Sequence, residues 1–299
     1  LQVDLPAGTA RPPALRVTAW VVADAQTGAV LAACNAHVPL APASTLKVLT
    51  ALALLDAVPP TRRYRATDAE ALIDGTRAGM VPGATYSGDD LWHRLMMSSA
   101  NDCAYALAEL TGGQQAAAEA LQRTAFELGA RDTVVRNTSG LDAPGQVSSA
   151  YDLALFGRAA LRRPDLMRYA QTRRYAFPDG TPKASRRPTP RPTRSGPPTF
   201  EIPNHDRLLD GYPGATGLKN GWTSQAGGSL IATATRGGRS YVVTVLRADT
   251  SVWASGTALL DWAFATGQRA APVGTLDDAP PAAAPGSPPA SPTTNPAAT

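Results

Sequence analysis

The sequence predicts an α+β fold: an antiparallel sheet built from N- and C-terminal strands, flanked by helices, with a mostly helical region inserted in the middle. Three observations carry this. Strand-like apolar runs rich in Val and Ala lie near both ends of the chain, at residues 16–34 and 227–248. The middle third shows apolar residues at helical spacing. One stretch, residues 42–58, is apolar on all sides, and a helix of that kind is normally buried inside a domain.

Each element follows in chain order. Residues 1–14 are Pro-rich and read as a loose lead-in. RVTAWVVADAQTGAVLAAC reads as two strands around a turn at Gln26-Thr27-Gly28. Pro42 suits a helix start and Pro59-Pro60 a stop; between them Leu46, Val48, Leu49, Leu52, Leu54 and Leu55 leave no polar face. LWHRLMMSSANDCAYALAELTG and GGQQAAAEALQRTAFELGA read as helices that end near Gly, and a further helix covers residues 149–162. Residues 178–199 are basic and Pro-rich, a loop. GGSLIATATRGGRSYVVTVLRA is a hairpin turning at Arg236-Gly237-Gly238-Arg239, and TALLDWAFA closes the fold as a helix. The organisation expected is a lead-in at 1–14, one globular domain at 15–270 and a disordered Pro/Ala-rich tail at 271–299.

Composition narrows the function. The chain has 299 residues and a formal net charge of +4, from 28 Lys and Arg against 24 Asp and Glu. That charge is too small and too dispersed to argue for nucleic acid. No apolar run reaches the roughly 18 residues a membrane helix needs. Two cysteines and three histidines form no metal-binding spacing, so neither a metal nor another cofactor is expected. The start at Leu1 and the Pro/Ala tail read as cut edges of a longer or processed chain. The tail suits a tether toward a wall or membrane anchor beyond Thr299, or a frayed terminus. The basic residues from Lys183 to Arg194 read as a solvated loop, or as a contact for anionic wall polymer.

Three short patterns carry chemistry. In Ser44-Thr45-Leu46-Lys47, a spacing of three puts Ser44 and Lys47 on one helix face. Lys47 is the only charged residue between Ala41 and Leu55. Burial would lower its pKa and turn it into a base beside a nucleophile; the alternative is a lysine reaching from a core helix to solvent. Ser99-Ala100-Asn101 can present a hydroxyl and an amide to one cleft, or simply cap a helix. Lys219-Asn220-Gly221 places a lysine on an apparent strand beside a glycine that lets a ligand approach, or is a turn. His205 in NHD is discounted as a triad base, because no GxSxG elbow exists and Lys47 fills that role.

In this order, and with the surrounding text PASTLKVLTALALL, SSANDCAYALAE, NTSGLD, NHDRLL and GATGLKNGWTSQAG, the chain resembles the low-molecular-mass penicillin-binding proteins that are D-alanyl-D-alanine carboxypeptidases, the S11 peptidase family. The resemblance runs from about Trp20 to Phe264. It implies a penicillin-binding protein/serine β-lactamase-like fold and an exported enzyme of the cell envelope. It implies a serine acyl transfer on peptidoglycan stem peptides ending in D-Ala-D-Ala, with β-lactam antibiotics as mimics. Ser44 would be the nucleophile and Lys47 its base. Ser99 would relay a proton to the leaving D-alanine, Asn101 would hold the peptide or the Lys47 amine, and Lys219 would attract the substrate carboxylate and polarise Ser99. Asn220, Gly221, Trp222 and Thr223 would line the substrate, with an oxyanion hole from the N–H groups of Ser44 and Trp222.

One departure stands out: the family's third motif usually has Thr or Ser where this chain has Asn220. Some relatives also place an Arg just before the last helix; Ser251-Val252-Trp253 occupies that region here, and the nearest arginine is Arg247. Two alternatives therefore stay open, a weakly active or inactive wall-peptide binder and a β-lactamase, although no counterpart of the class A deacylating Glu is evident. Cys34 and Cys103 would form a disulfide if both motifs meet at one cleft, or remain two separate buried thiols.

Overall fold

A computed structural model describes residues 1–180 and 198–276. Its strands are β1 (Gln2–Val3), β2 (Val17–Asp24), β3 (Ala29–Cys34), β4 (Arg63–Arg65), β5 (Thr85–Ser87), β6 (Arg174–Pro178), β7 (Thr199–Pro203), β8 (Ala215–Thr223), β9 (Gly227–Arg236), β10 (Arg239–Ala248) and β11 (Gly274–Thr275). Its helices are α1 (Lys47–Leu54), α2 (Asp68–Ala71), α3 (Gly88–Ser98), α4 (Asn101–Glu109), α5 (Gln114–Glu127), α6 (Ala150–Leu161), α7 (Pro164–Gln171), α8 (Leu208–Gly211) and α9 (Val252–Thr266). Among the described residues, no helix is long and apolar enough to cross a membrane.

The main sheet is antiparallel with strand order β1-β3-β2-β10-β9-β8, and β11 also pairs with β3. Both chain ends thus meet in one sheet, because β2 from the N-terminal part pairs with β10 from the C-terminal part, Val21 opposite Thr244. The sheet separates two cores. On one face Val21, Ala23, Ile231 and Val242 pack with α1, α3, α4 and α6; on the other Val22, Leu230, Ala232 and Val243 pack with α9. Burying both faces explains why these strands read as continuous apolar runs rather than as alternation.

Helix α1 sits in the first core, with Val48, Leu49 and Ala51 buried to within 1%. Ser149 caps α6 by accepting a hydrogen bond from Asp152 N at 3.1 Å. Strand β8 is an edge strand, and its outer side faces the turn at residues 43–46 that leads into α1.

Two boundaries differ from expectation. The lead-in is not loose: Gln2–Val3 pairs with β3, and Ala10 O accepts from Trp262 Nε1 at 2.8 Å. The globular part does not end at residue 270. Asp4 bridges Ala271, β11 follows, and Leu276 is buried with its N–H donated to Gly28 O at 2.7 Å. In both cases a short segment satisfies its backbone on the β3 edge, a tertiary opportunity that local composition does not reveal. Pro178 and Thr199, read as loop ends, are paired in a β6–β7 hairpin. The basic residues from Lys183 to Arg194 and the tail from residue 277 onward lie outside the described residues.

Candidate active site

The site begins at a strained turn. Residues Ala43–Leu46 form a 3-10 turn that leads into α1, and Pro42 O accepts hydrogen bonds from Thr45 Oγ1 (2.6 Å) and Ser229 Oγ (2.8 Å). Ala43 is fully buried with a φ of +49°, a left-handed conformation that an alanine adopts at a cost of roughly 1–3 kcal/mol. Surrounding contacts hold it there. Gly140 presses so closely that a Cβ at that position would lie 1.9 Å from Ala43 O. Ser44 follows, half-buried at the cleft.

Lys47 has no exposed surface, and its Nζ lies 3.0 Å from Ser44 Oγ, 2.7 Å from Asn101 Oδ1 and 2.5 Å from Ser139 O. The orientation of the Asn101 amide is set by its other end, because Nδ2 donates to Asp74 O at 2.8 Å. Both Asn101 Oδ1 and Ser139 O are therefore pure acceptors. A neutral amine has two N–H bonds and one lone pair. Nζ thus has three oxygens within hydrogen-bond distance, Ser44 Oγ among them; once the amine is neutral, N–H bonds to Asn101 Oδ1 and Ser139 O leave its lone pair for the Ser44 hydroxyl. Burial, followed by the positive charge of Lys219, holds Lys47 well below the usual lysine range, with Cys103 and Asp102 opposing the shift. No carboxylate among the described residues lies within ion-pair distance.

Ser99 caps the C-terminal end of α3, and Asn101 opens α4. Helix α3 ends at Ser99 in a left-handed conformation (φ +64°), and α4 starts at Asn101, so the chain reverses between them. Among the described residues the Ser99 hydroxyl has no hydrogen bond. Asp102 is buried and organises the facing loop, accepting from Ala78 N (2.8 Å), Gly79 N (2.9 Å) and Met80 N (3.3 Å).

Strand β8 forms the opposite wall. Lys219 is 1% exposed and donates to Asn220 O at 2.8 Å rather than to Ser99. Burial pushes its pKa down to about 8, and the charge of Asp206 opposes this. Gly221 lies against Ser44: a Cβ there would sit 2.5 Å from Ser44 N. Trp222 is 71% exposed at the rim. Thr223 Oγ1 donates to Asp142 Oδ1 at 2.8 Å and accepts from Ala226 N, so its hydroxyl ties β8 to the 137–146 segment. The Asn220 amide makes no hydrogen bond among the described residues. Arg247 occupies a bulge in β10 with φ +53°, its Cγ 3.7 Å from where a Cβ of Gly227 would lie. Ser251 caps α9.

The structure thus brings Ser44, Lys47, Asn101 and Gly221 into direct contact. Ser139, Gly140 and Asp102 were not identified from sequence as site residues, since a backbone acceptor and a close-packed glycine leave no residue-type signal. The Cys34–Cys103 bridge is absent. Both thiols are free; Cys103 is buried in α4 within the first core, while Cys34 ends β3 and packs against the second. His205 is anchored by its backbone to Met97 O (2.7 Å), and burial, then the positive charges of Lys219 and Arg94, hold its ring below the usual histidine range.

An antiparallel sheet carrying a lysine strand at its edge, set against a half-buried serine and a buried lysine at the head of a core helix, defines an active-site-serine protein of the penicillin-binding type. The profile of the D-alanyl-D-alanine carboxypeptidases matches residues 7–250, and the chain belongs to that family, peptidase family S11. It is similar to the D-alanyl-D-alanine carboxypeptidase DacB2 of Mycobacterium tuberculosis, at 33% identity over 91% of this chain and 90% of that protein. It is also similar to DacF of Bacillus subtilis, at 28% identity over 82% of this chain and 61% of that longer protein. A crystal structure of a D-alanyl-D-alanine carboxypeptidase from M. tuberculosis superposes with a TM-score of 0.81, covering 91% of this chain and 99% of that one at 33% identity. The Streptomyces K15 DD-transpeptidase shares the fold, with a TM-score of 0.76 at 23% identity.

Proposed function

We propose that the protein is a serine D,D-carboxypeptidase that removes the terminal D-alanine from peptidoglycan stem peptides. The observation that carries this reading is the fully buried Lys47 Nζ standing 3.0 Å from Ser44 Oγ. An amine with both N–H bonds committed presents its lone pair to a serine hydroxyl, which is the arrangement a nucleophile and its base require.

In the proposed cycle Ser44 Oγ–H gives its proton to Lys47 Nζ as the oxygen attacks the carbonyl carbon between the two D-alanines. The oxyanion forms against the N–H groups of Ser44 and Trp222, each worth about 3 kcal/mol of barrier. Gly221 permits that approach because it has no side chain. Collapse breaks the peptide bond, and the leaving amine takes a proton relayed from Lys47 through Ser99. Lys219 and the exposed Arg247 supply positive potential for the terminal carboxylate. Asn220, Trp222 and Thr223 line the substrate. Water then hydrolyses the Ser44 ester. A β-lactam acylates Ser44 by the same attack, opening its ring.

Such a substrate lies outside the cytoplasmic membrane, so the protein works in the cell envelope. By lowering the supply of pentapeptide for cross-linking, it would act on cell shape. Secretion, and a tether through sequence beyond Thr299, are checked by fractionating cells that express the full chain.

The direct test is D-alanine release from a pentapeptide, wild type against Ser44→Ala, alongside labelling with a fluorescent penicillin. Release and stable labelling that both vanish in Ser44→Ala support the reading. The unengaged Asn220 amide favours one alternative, a wall-peptide binder of this fold with little chemistry; binding of the peptide without release or labelling would establish it. Rapid penicillin turnover in place of stable labelling would instead identify a β-lactamase.

A further inference from the structure

The segment that follows β7 is braced on several sides. Asn204 Nδ2 donates to Ala170 O (2.9 Å) and Thr172 O (2.8 Å), and Asn204 Oδ1 accepts from Asp206 N (2.9 Å). His205 N donates to Met97 O, two residues before Ser99. This bracing carries the Asp206 side chain into the protein, where the residue is only 4% exposed. Asp206 Oδ1 accepts from Leu208 N at 2.9 Å, while Oδ2 is buried and has no hydrogen-bond partner among the described residues.

A buried carboxylate with an unengaged oxygen is costly unless nearby positive charge offsets the lost hydration. The charge that reaches Asp206 is that of Lys219 on β8; His205 is its chain neighbour and itself feels Lys219 and Arg94, and beyond Lys219 lies Lys47 on α1. Asp206 and Lys219 each feel the other's charge. Lys219 needs such help: it is desolvated, has one backbone acceptor and feels no other carboxylate.

We propose that Asp206 is the counter-charge that keeps Lys219 an ammonium, and is thereby a positioning residue for the anionic end of the substrate. Asp206 does not touch the substrate; it acts through Lys219. The role in substrate binding rests on the D,D-carboxypeptidase reading, whereas the pairing itself does not. Burial pushes Asp206 up to about 6 and Lys219 down to about 8, and each feels the other's opposite charge, so the interaction is expected to be strongest between those values. Above that window Lys219 loses its proton and the cleft its attraction for a carboxylate. Below it Asp206 is neutral, and the ammonium remains without its partner.

The test uses Asp206→Asn, which keeps an oxygen for Leu208 N and nearly the same shape. The rate of Ser44 acylation by a penicillin is measured against pH. The alkaline limb is expected to move toward acid by about one pH unit or more, with the melting temperature maintained, and Asp206→Glu is expected to recover part of that shift. A folded Asp206→Asn protein whose limb stays where it is in wild type overturns the proposal. A second measurement requires no stable variant at Asp206: the ¹³C carboxyl titration of Asp206 in wild type and in Lys219→Gln. Its midpoint should rise when the lysine charge is removed, and an unchanged midpoint also overturns the pairing. Failure of wild type to react with penicillin would instead count against the D,D-carboxypeptidase reading and leave this titration to decide the pairing.

Discussion

On the proposed mechanism, the two buried lysines of the site set one residue type to opposite tasks. Lys47 lies on a core helix with two fixed acceptors, Asn101 Oδ1 and Ser139 O, and a hydroxyl as third neighbour. Lys219 lies on an edge strand with one backbone acceptor and a carboxylate whose field reaches it. Desolvation lowers both, and the positive charge of Lys219 is itself the second cause of the shift at Lys47. The wall that keeps its charge thus helps to discharge the wall that must be neutral. What separates the two is the neighbouring charge: after burial, Lys47 feels Lys219 ahead of the opposing Cys103 and Asp102, whereas Lys219 feels only the opposing Asp206.

The sharpest way to break this comparison is to exchange lysine for arginine at each place. Arginine keeps the charge and cannot act as a base at working pH. Lys47→Arg is expected to slow penicillin acylation of Ser44 by roughly 1,000-fold or more. Lys219→Arg should cost much less, about 10-fold, because charge is the property required there. Equal losses at both positions would erase the distinction.

Next in size is Gly221→Ala. The new methyl would meet Ser44 N at 2.5 Å and push β8 away from the nucleophile. A displacement of about 1 Å costs on the order of 100-fold in rate. The loss should appear in acylation rate together with a lower melting temperature, since overpacking of this kind costs about 1–3 kcal/mol.

The pH dependence sharpens the comparison from both sides. Lys47 acts only when neutral, so the acylation rate should fall as acid protonates it. Lys219 acts only when charged, so activity should also fall as pH rises through about 8. In the second-order rate constant for acylation, each limb should approach 10-fold per pH unit. A rate that climbs steadily to pH 10 would mean that the charge of Lys219 is not needed.

The smallest expected effect is at Asn220. Asn220→Thr, which restores the hydroxyl usual in the family, should raise release of D-alanine from a D-Ala-D-Ala peptide by a few-fold. Unchanged or lower turnover would mark the amide as an adaptation of this chain.

Much of this was legible in the amino-acid order. The helical spacing of Ser44 and Lys47, and the absence of any polar face around them, foretold a shared helix face and a desolvated amine. The paired runs 16–34 and 227–248 foretold a sheet joined from both ends. Contacts made through the backbone were not legible. Ser139 contributes a carbonyl, Ala43 a strained torsion and Gly140 an absence of side chain, and none of these has a signature in residue type or periodicity. The supposed cysteine bridge failed for a related reason: nearness to two motifs along the chain does not place two thiols in the same layer of the fold.

By itself, then, the sequence determined which residues could serve as nucleophile, base and cation, because those properties belong to the side chains and their local spacing. Only the tertiary structure decided which lysine is which. A pKa responds to burial and to charges that lie far apart in the chain, and only folding brings Asn101, Ser139, Asp206 and the two lysines within reach of one another.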